Sequence, residues 1–187
     1  MADEGARSAR SSAGPLRLAI EAAGEEFVFV QSAHGPEGTF RFRWTLGPKK
    51  KGPPPHLHPH EAETFRVVSG KLQIWLDGVR HDCGPGDEVT APRGVMHRFF
   101  NPGDEPVIVD VSLDGGLQEA SLVGLAEHAR RVGRPLRLGE MLRQTVVQFH
   151  RGAIGAPGLV GAMVRGTASL LVALGVRGYE PTAGWDA

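Results

Sequence analysis

Three histidines and two glutamates fall within the eight positions 56–63, between a triple proline and a glycine. One residue separates His56 from His58, so on extended backbone both imidazoles lie on the same face. Glu63 opens the next predicted strand, from which its carboxylate can reach the same point. Imidazole and carboxylate are the usual protein ligands of divalent transition metals. The segment therefore predicts a metal site, although a histidine-rich surface loop gives the same pattern by itself.

A second segment, GDEVTAPRGVMHRFFN, offers a fourth ligand. His97 lies near its end, on a predicted strand whose inward face can meet the first segment. Pro92 and Gly94 are expected to form the turn that delivers His97 inward. Between the other ligands, His60 and Glu61 lie in a loop where we expect solvated side chains, with contact to a ligand residue or to substrate as the alternative.

Together the two segments resemble the motifs of the cupin superfamily, G-x5-H-x-H-x3-4-E-x6-G and G-x5-P-x-G-x2-H-x3-N. The second motif is matched throughout, and fifteen residues separate the two, as in small single-domain cupins. The first motif departs only at its opening glycine, which should stand five residues apart from the first histidine. Three residues separate Gly52 from His56, and eight residues separate Gly47 from His56. That glycine belongs to a turn, so the departure concerns loop geometry and not the ligands. The matched residues are His56, His58, Glu63, Gly70, Gly86, Pro92, Gly94, His97 and Asn101.

The resemblance, over residues 26–113, implies a small β-barrel or jelly roll around one divalent transition metal ion: Fe, Mn, Ni, Cu, Co or Zn. The implied ligands are His56, His58, Glu63 and His97. Four protein ligands leave an octahedral ion open positions for water, substrate or O2, which separates a catalytic from a structural site. In related sites the carboxylate ligand also acts as a base, so Glu63 is the candidate catalytic residue.

The pattern of the same region is that of an all-β fold. Residues 39–46, TFRFRWTL, alternate strictly between apolar and polar side chains, the period of a strand with one buried face. Further short strands follow, separated by turns rich in glycine and proline and with no helix between them. This arrangement is typical of an antiparallel sandwich or barrel. The predicted strands are 27–31, 39–46, 64–69, 71–77, 87–92, 97–101 and 106–113.

Five residues on inward faces are candidates for the lining of a substrate pocket. Phe65, Val67 and Phe99 share strand parity with the metal ligands. Phe42 and Trp44 face the interior on pattern alone, and core packing accounts for them equally well. Such a lining predicts a small, largely apolar or aromatic ligand.

After Gly116 the pattern changes to that of helices, over 117–132 and 138–149. The segment 152–176 is apolar except for Arg165 and is long enough for a bilayer, but it contains six glycines and a charge near its middle. We therefore expect a helix that packs on the barrel or on a second subunit. A homodimer is favoured over membrane contact.

The predicted division of the chain is a disordered tail (1–15), a barrel domain (16–116) and a helical extension (117–187). The tail is small and polar and lacks the apolar core of a secretory signal. Lysine and arginine (21) balance aspartate and glutamate (21), so no electrostatic attraction to nucleic acid is expected. Cys83 is the single cysteine, which excludes an intrachain disulfide and favours a cytoplasmic location.

The activities that the resemblance implies are diverse. Cupins include dioxygenases such as quercetinases, isomerases, oxalate-degrading enzymes and binding proteins without catalysis. We expect first a mononuclear non-haem metal enzyme, a quercetinase-like dioxygenase or other oxidoreductase, because the inward faces are apolar. The alternatives are a metal-containing binding or sensor protein and a metal-assisted isomerase, which usually has polar cavity residues.

Overall fold

The computed structural model describes residues 15–20, 23–33 and 38–181. The predicted tail, apart from Pro15, lies outside these residues. Within them, nine strands precede three helices. The strands are β1 (Arg17–Ile20), β2 (Glu25–Gln31), β3 (Phe40–Leu46), β4 (Glu63–Ser69), β5 (Leu72–Leu76), β6 (Val79–Cys83), β7 (Glu88–Ala91), β8 (His97–Phe100) and β9 (Val107–Leu113). The helices are α1 (Leu117–Val132), α2 (Leu138–Arg151) and α3 (Gly158–Ala173).

The strands form two antiparallel sheets. The larger has the order β1-β2-β3-β9-β4-β7 and the smaller has the order β6-β5-β8. Strand β9 returns to lie between β3 and β4, pairing with both of them along its length. The predicted all-β jelly roll with a helical C-terminal extension is confirmed.

Alternation along the strands builds the core between the sheets. Every second residue of β3 and of β9 is buried, and burying a large apolar side chain contributes about 1.5–3 kcal/mol. On the outer face of β3, Arg43 donates from Nε and Nη2 to Asp110 of β9 at 2.7 and 2.9 Å. The buried face of β3 consists of Phe40, Phe42, Trp44 and Leu46.

The sequence pattern misses β1 and β6. In β6, VRHDC, only Cys83 is buried, so its pairing with β5 and not a hydrophobic period decides its conformation. In β1 only Leu18 is buried. The turn between β5 and β6 has positive φ at both Asp77 (47°) and Gly78 (85°), as a tight two-residue hairpin requires.

Close packing explains why the last position of the first motif, Gly70, is a glycine. Its φ is 84°, and a Cβ there would lie 2.8 Å from the carbonyl oxygen of Pro106 and 2.9 Å from Cα of Val107. Any side chain would collide with the backbone that leads into β9. Glycine therefore permits the close approach that the β4–β5 turn needs.

The helical extension is joined to the barrel through α1. Val123, Leu125 and Ala126 of α1 belong to the same hydrophobic core as the strands. Helix α2 packs against α1, and α3 packs against α2. Packing of α3 on α2 was not anticipated from the sequence, which offered the barrel or a second subunit as its partner.

Large apolar side chains of α3 remain exposed, among them Leu159, Val160, Met163 and Leu170. Among the described residues, no helix combines the length and the apolar character that crossing a bilayer requires. The expected homodimer, for which this face would be one interface, stays a prediction, as does the cytoplasmic location.

A buried carboxyl on β2 makes the stability of the fold depend on pH. Glu25 is 7% exposed, and its Oε1 accepts a hydrogen bond from Nε1 of Trp44 at 3.2 Å. Burial raises the pKa of Glu25 to about 7, and the hydrogen bond from Trp44 offsets only part of that rise. Because the carboxyl of an unfolded chain ionises near 4.5, the folded state loses stability as the pH rises from 4.5 through 7.

We therefore predict that Glu25→Gln, which keeps an acceptor for Trp44, exceeds the wild type in free energy of unfolding at pH 8 by roughly 2–3 kcal/mol. At pH 4 the two proteins should be close. Denaturant unfolding at both pH values measures this. Glu26→Gln, on the other face of the same strand, is the matched control and should show no such gain. A gain of equal size at pH 4 and pH 8 would contradict the role of ionisation.

Candidate metal centre

The four predicted ligands come from three parts of the barrel. Glu63 is the first residue of β4 in the larger sheet, and His97 is the first residue of β8 in the smaller sheet. His56 and His58 lie in the segment that leads into β4. The fold therefore brings both sheets and one connecting segment to a single point.

The segment with His56 and His58 runs beside β8 without forming a regular strand. The N–H of His56 donates to the carbonyl of His97 at 3.1 Å, and the N–H of His97 donates to the carbonyl of His56 at 2.8 Å. The carbonyl of His58 accepts from the N–H of Gly94 at 2.8 Å. The predicted extended backbone is present, but only as isolated bridges, because the preceding prolines 53–55 have no N–H to continue a ladder.

The side chains of these residues converge. One ligand atom from each of His56, His58, Glu63 and His97 lies within 4.8 Å of the others. Oε2 of Glu63 is 3.2 Å from Nε2 of His58 and 3.2 Å from Nε2 of His97. Three of the four side chains are buried, whereas His56 is half-buried. The cluster therefore comes nearest to solvent at His56.

Each imidazole uses its Nδ1 for a hydrogen bond to a backbone carbonyl. Since a carbonyl oxygen can only accept, Nδ1 carries the proton, and in a neutral ring Nε2 presents its lone pair to the cluster. The three rings are thereby set in the tautomer that a metal ligand needs. The acceptors for His56, His58 and His97 are the carbonyls of Pro54 (2.8 Å), Ala153 (2.6 Å) and Val95 (3.0 Å).

The donor set fits a cation. Oε2 of Glu63 and Nε2 of His97 are buried, and among the described residues neither has a hydrogen-bond partner. When both rings are neutral, the lone pairs of His58 and His97 face the same carboxylate oxygen, so three acceptors meet without a donor. Such a meeting is unfavourable in a protein interior unless a proton or a metal ion lies between the atoms. Three imidazole nitrogens and one carboxylate suit a divalent transition metal.

The pKa values of the cluster follow from burial and from these contacts. Although part of residue His56 reaches solvent, burial of its ring, with the neighbouring imidazoles, lowers its pKa to about 3. Burial raises the pKa of Glu63, but its contacts with His58 and His97 lower that pKa by more than burial raises it. The carboxyl is therefore ionised. Burial lowers the pKa of His58, and the contact with Glu63 more than reverses that effect, so the net shift is upward.

Glu61 is buried at the start of α1, contrary to the expectation of a solvated side chain. It is 2% exposed and not solvated. Its Oε1 accepts from the N–H of Leu117 at 2.8 Å and its Oε2 accepts from the N–H of Gln118 at 3.1 Å. These N–H groups begin α1, which has no side-chain cap of its own, and a carboxylate is favourable at a helix N-terminus. Glu61 therefore ties the segment 56–63, here called the ligand loop, to the helical extension.

Three of the predicted pocket residues form an aromatic group beside the ligands. The ring centroid of Phe99 is 5.4 Å from that of His97 and 6.4 Å from that of His56. Phe65 lies 6.2 Å from His97 and 4.7 Å from Phe99. Trp44 meets Phe99 edge to face at 5.5 Å.

The other two predicted pocket residues pack in the core. Phe42 lies among the rings of Phe27, Phe29 and Phe40 at 5.3–6.4 Å. Val67 is 2% exposed and is paired with Val109 of β9. All five predicted pocket residues are at most 5% exposed. That they line a substrate pocket stays a prediction.

Comparison with known proteins places the barrel in a family. Residues 42–114 match the Cupin_2 family, described as a cupin domain. A stretch of 66 residues is 46% identical to a protein named probable oxidoreductase patJ from Aspergillus clavatus, covering 35% of this chain and 20% of that protein. Protein SchB from Streptomyces halstedii is 39% identical over 49 residues, which cover 26% of this chain and 36% of SchB. The chain thus spans a fifth to about a third of the length of these relatives.

Two solved structures are similar to about half of this chain. KdgF from Halomonas sp. covers 52% of this chain and 84% of its own, with 23% identity and a TM-score of 0.45. A sugar phosphate isomerase of the cupin superfamily from Silicibacter pomeroyi covers 54% of this chain and 71% of its own, with 25% identity and a TM-score of 0.48. The family match itself runs from within β3 to just past β9 and contains all four converging side chains. On that match, and on the two motifs that it brings to one point, residues 42–114 of this chain are a cupin-like domain.

Proposed function

We propose that this chain is a metal-dependent oxidoreductase, of dioxygenase type, that acts with O2 on a small and largely apolar or aromatic molecule. The observation that carries the proposal is the convergence of three imidazoles and one buried carboxyl group. Partial relatives named as oxidoreductases, from Aspergillus clavatus and Arthrobotrys oligospora, support redox chemistry. Because the matches cover a fifth of those proteins, the activity is proposed from the site and not transferred.

A transition metal bound by the four ligands would supply Lewis-acid and redox activation of substrate and O2. The protein's own contribution is to hold that ion and to surround it with apolar rings. Phe65 and Phe99 pack beside His97, which keeps water from that side of the ligands. The half-buried edge at His56 is the side from which a substrate would approach.

The role of Glu63 as a ligand is better supported than its role as a base. A carboxyl whose pKa is lowered holds a proton poorly, and general-base catalysis is most efficient when the pKa lies near the working pH. Proton transfer by Glu63 therefore requires that its contacts with His58 and His97 change during turnover. Glu63→Gln tests this point, because the amide keeps an oxygen donor for the metal but cannot take up a proton.

A second candidate function is a metal-containing binding or sensor protein without catalysis. It is supported by the close packing of Phe65, Phe99 and Trp44 next to the ligands, which fills the interior with side chains. Both functions require the metal, so turnover and not metal content separates them.

We predict that the protein, purified without chelator or nickel affinity resin, carries close to one equivalent of transition metal per chain. His97→Ala removes a buried ligand and should weaken metal binding by on the order of a hundredfold or more. Elemental analysis and competition with a chelator measure both quantities. His81→Ala, on β6 and outside the cluster, is the matched control. Equal metal affinity in His97→Ala and wild type would show that the four side chains do not form the site.

Metal binding should release protons near pH 6. Because Glu63 raises the pKa of His58, that ring holds a proton in the metal-free protein, and a metal ion must displace it. The release should fade as the pH rises past the pKa of His58. Titration calorimetry with Zn²⁺ in two buffers of different ionisation enthalpy measures it. The same apparent enthalpy in both buffers at pH 6 would contradict a protonated His58.

The proposed activity predicts O2 uptake by the metal-loaded protein with at least one flavonol or other enolisable aromatic compound. An oxygen electrode measures this, and uptake should be lost in His97→Ala and retained in His81→Ala. If Glu63 is also the base, Glu63→Gln should lose turnover by about a hundredfold or more even when it is compared with wild type at equal metal content. A metal-loaded wild type that consumes no O2 across the panel would favour the binding protein.

A further inference from the structure

The turn between α2 and α3, residues 152–157, reaches the metal cluster from outside the barrel. Its Ala153 carbonyl accepts the hydrogen bond from Nδ1 of His58 at 2.6 Å, and the two residues are 95 positions apart in the chain. His56 and His97 instead donate to carbonyls only two positions away. The ring orientation of two ligands is therefore local, whereas that of His58 depends on the helical extension.

Backbone hydrogen bonds clamp the same turn to the ligand loop. The N–H of Leu57 donates to the carbonyl of Gly155 at 3.2 Å, and the N–H of Gly155 donates to the carbonyl of Leu57 at 2.8 Å. A Cβ at Gly155 would lie 2.9 Å from Cδ1 of Leu57 and 3.2 Å from Cγ of Pro59. Glycine at this position lets the two segments approach closely next to His58.

The position of the Ala153 carbonyl is set by the end of α2. Helix α2 ends at Arg151 and is capped by Gly152, whose φ is 75°. The N–H groups of Gly152 and Ala153 donate to the carbonyls of Phe149 and Gln148, respectively. A glycine in the left-handed backbone conformation is a common way for a helix to end. Ala153 is 1% exposed, so the carbonyl lies in a packed turn and not in a solvated loop.

We propose that the helical extension is a positioning element of the metal centre: the Ala153 carbonyl holds His58 in the tautomer and orientation that direct Nε2 to the metal. The inference rests on the metal site of the proposed function. A carbonyl behind a ligating imidazole fixes its orientation and raises its basicity, and losing such a partner typically weakens metal affinity 10–100-fold. Any partner or ligand that shifts the α2–α3 turn would consequently change metal affinity.

The test uses the full chain with Zn²⁺ as the probe. Gly155→Val places a branched side chain against Leu57 and Pro59 and forces the turn away from His58. Gly166→Val on α3, where no atom lies within 4 Å of an added Cβ, is the matched control. We expect the Kd for Zn²⁺, measured by chelator competition, to rise 10–100-fold in Gly155→Val and to stay at the wild-type value in Gly166→Val.

A spectroscopic readout separates positioning from a general loss of stability. In Zn²⁺-loaded wild type, ¹⁵N-edited NMR should show the Nδ1 proton of His58 protected from exchange, and Gly155→Val should lose that protection while the Nδ1 protons of His56 and His97 keep theirs. Should Gly155→Val fail to fold, the wild type still decides, because Zn²⁺ bound through Nδ1 of His58 would overturn the proposal. Wild-type Zn²⁺ affinity in Gly155→Val overturns the positioning role alone. A wild type that binds no Zn²⁺ overturns the metal site as well.

Discussion

A buried carboxylate oxygen that faces two imidazole nitrogens is the constraint on which the rest of this structure depends. Moving an ionised carboxyl into a protein interior costs several kcal/mol, and Glu63 is 7% exposed. Its Oε2 lies 3.2 Å from Nε2 of His58 and of His97, whose Nδ1 protons are committed to carbonyls. Only a positive charge at that point satisfies all three atoms. The barrel supplies the geometry by starting β4 and β8, from different sheets, with these side chains.

The ligand loop is held at both ends by the helical extension. Near its beginning, His58 donates to the carbonyl of Ala153 after α2. Near its end, Glu61 accepts from the first N–H groups of α1. Since α1 contributes to the hydrophobic core, the extension packs on the barrel. The same extension also contacts the ligand loop. A change in the helices would therefore reach the ligands through two short hydrogen-bonded links.

Two buried glutamates, Glu25 and Glu63, have pKa values that are shifted in opposite directions by their surroundings. The carboxyl of Glu25 accepts a hydrogen bond from Trp44, which does not offset the effect of burial, so its pKa rises to about 7. Glu63 meets two imidazoles, which more than offset burial, so its pKa falls. The number and charge of the contacting groups decide the direction. One carboxyl consequently destabilises the fold as the pH rises, and the other remains an anion available to a metal.

The sequence by itself determined which four side chains converge, and it determined most of the elements. The spacing of His56, His58, Glu63 and His97, the alternation of β3 and the helix at 117–132 all appear as predicted. These features have local causes, because side-chain period and motif spacing are properties of short segments. The strand β6 was not predicted because its mostly exposed residues show no alternation of apolar and polar side chains. Its conformation comes from pairing with β5.

Only the tertiary structure decided how the site is supported. It placed Glu61 at the start of α1, set Phe65 and Phe99 but not Phe42 against the ligand rings, and packed α3 on α2. The carbonyl of Ala153 is the clearest case. Every residue has a backbone carbonyl, so no residue type marks the one that holds His58, and a contact across 95 positions exists only when the whole chain has folded.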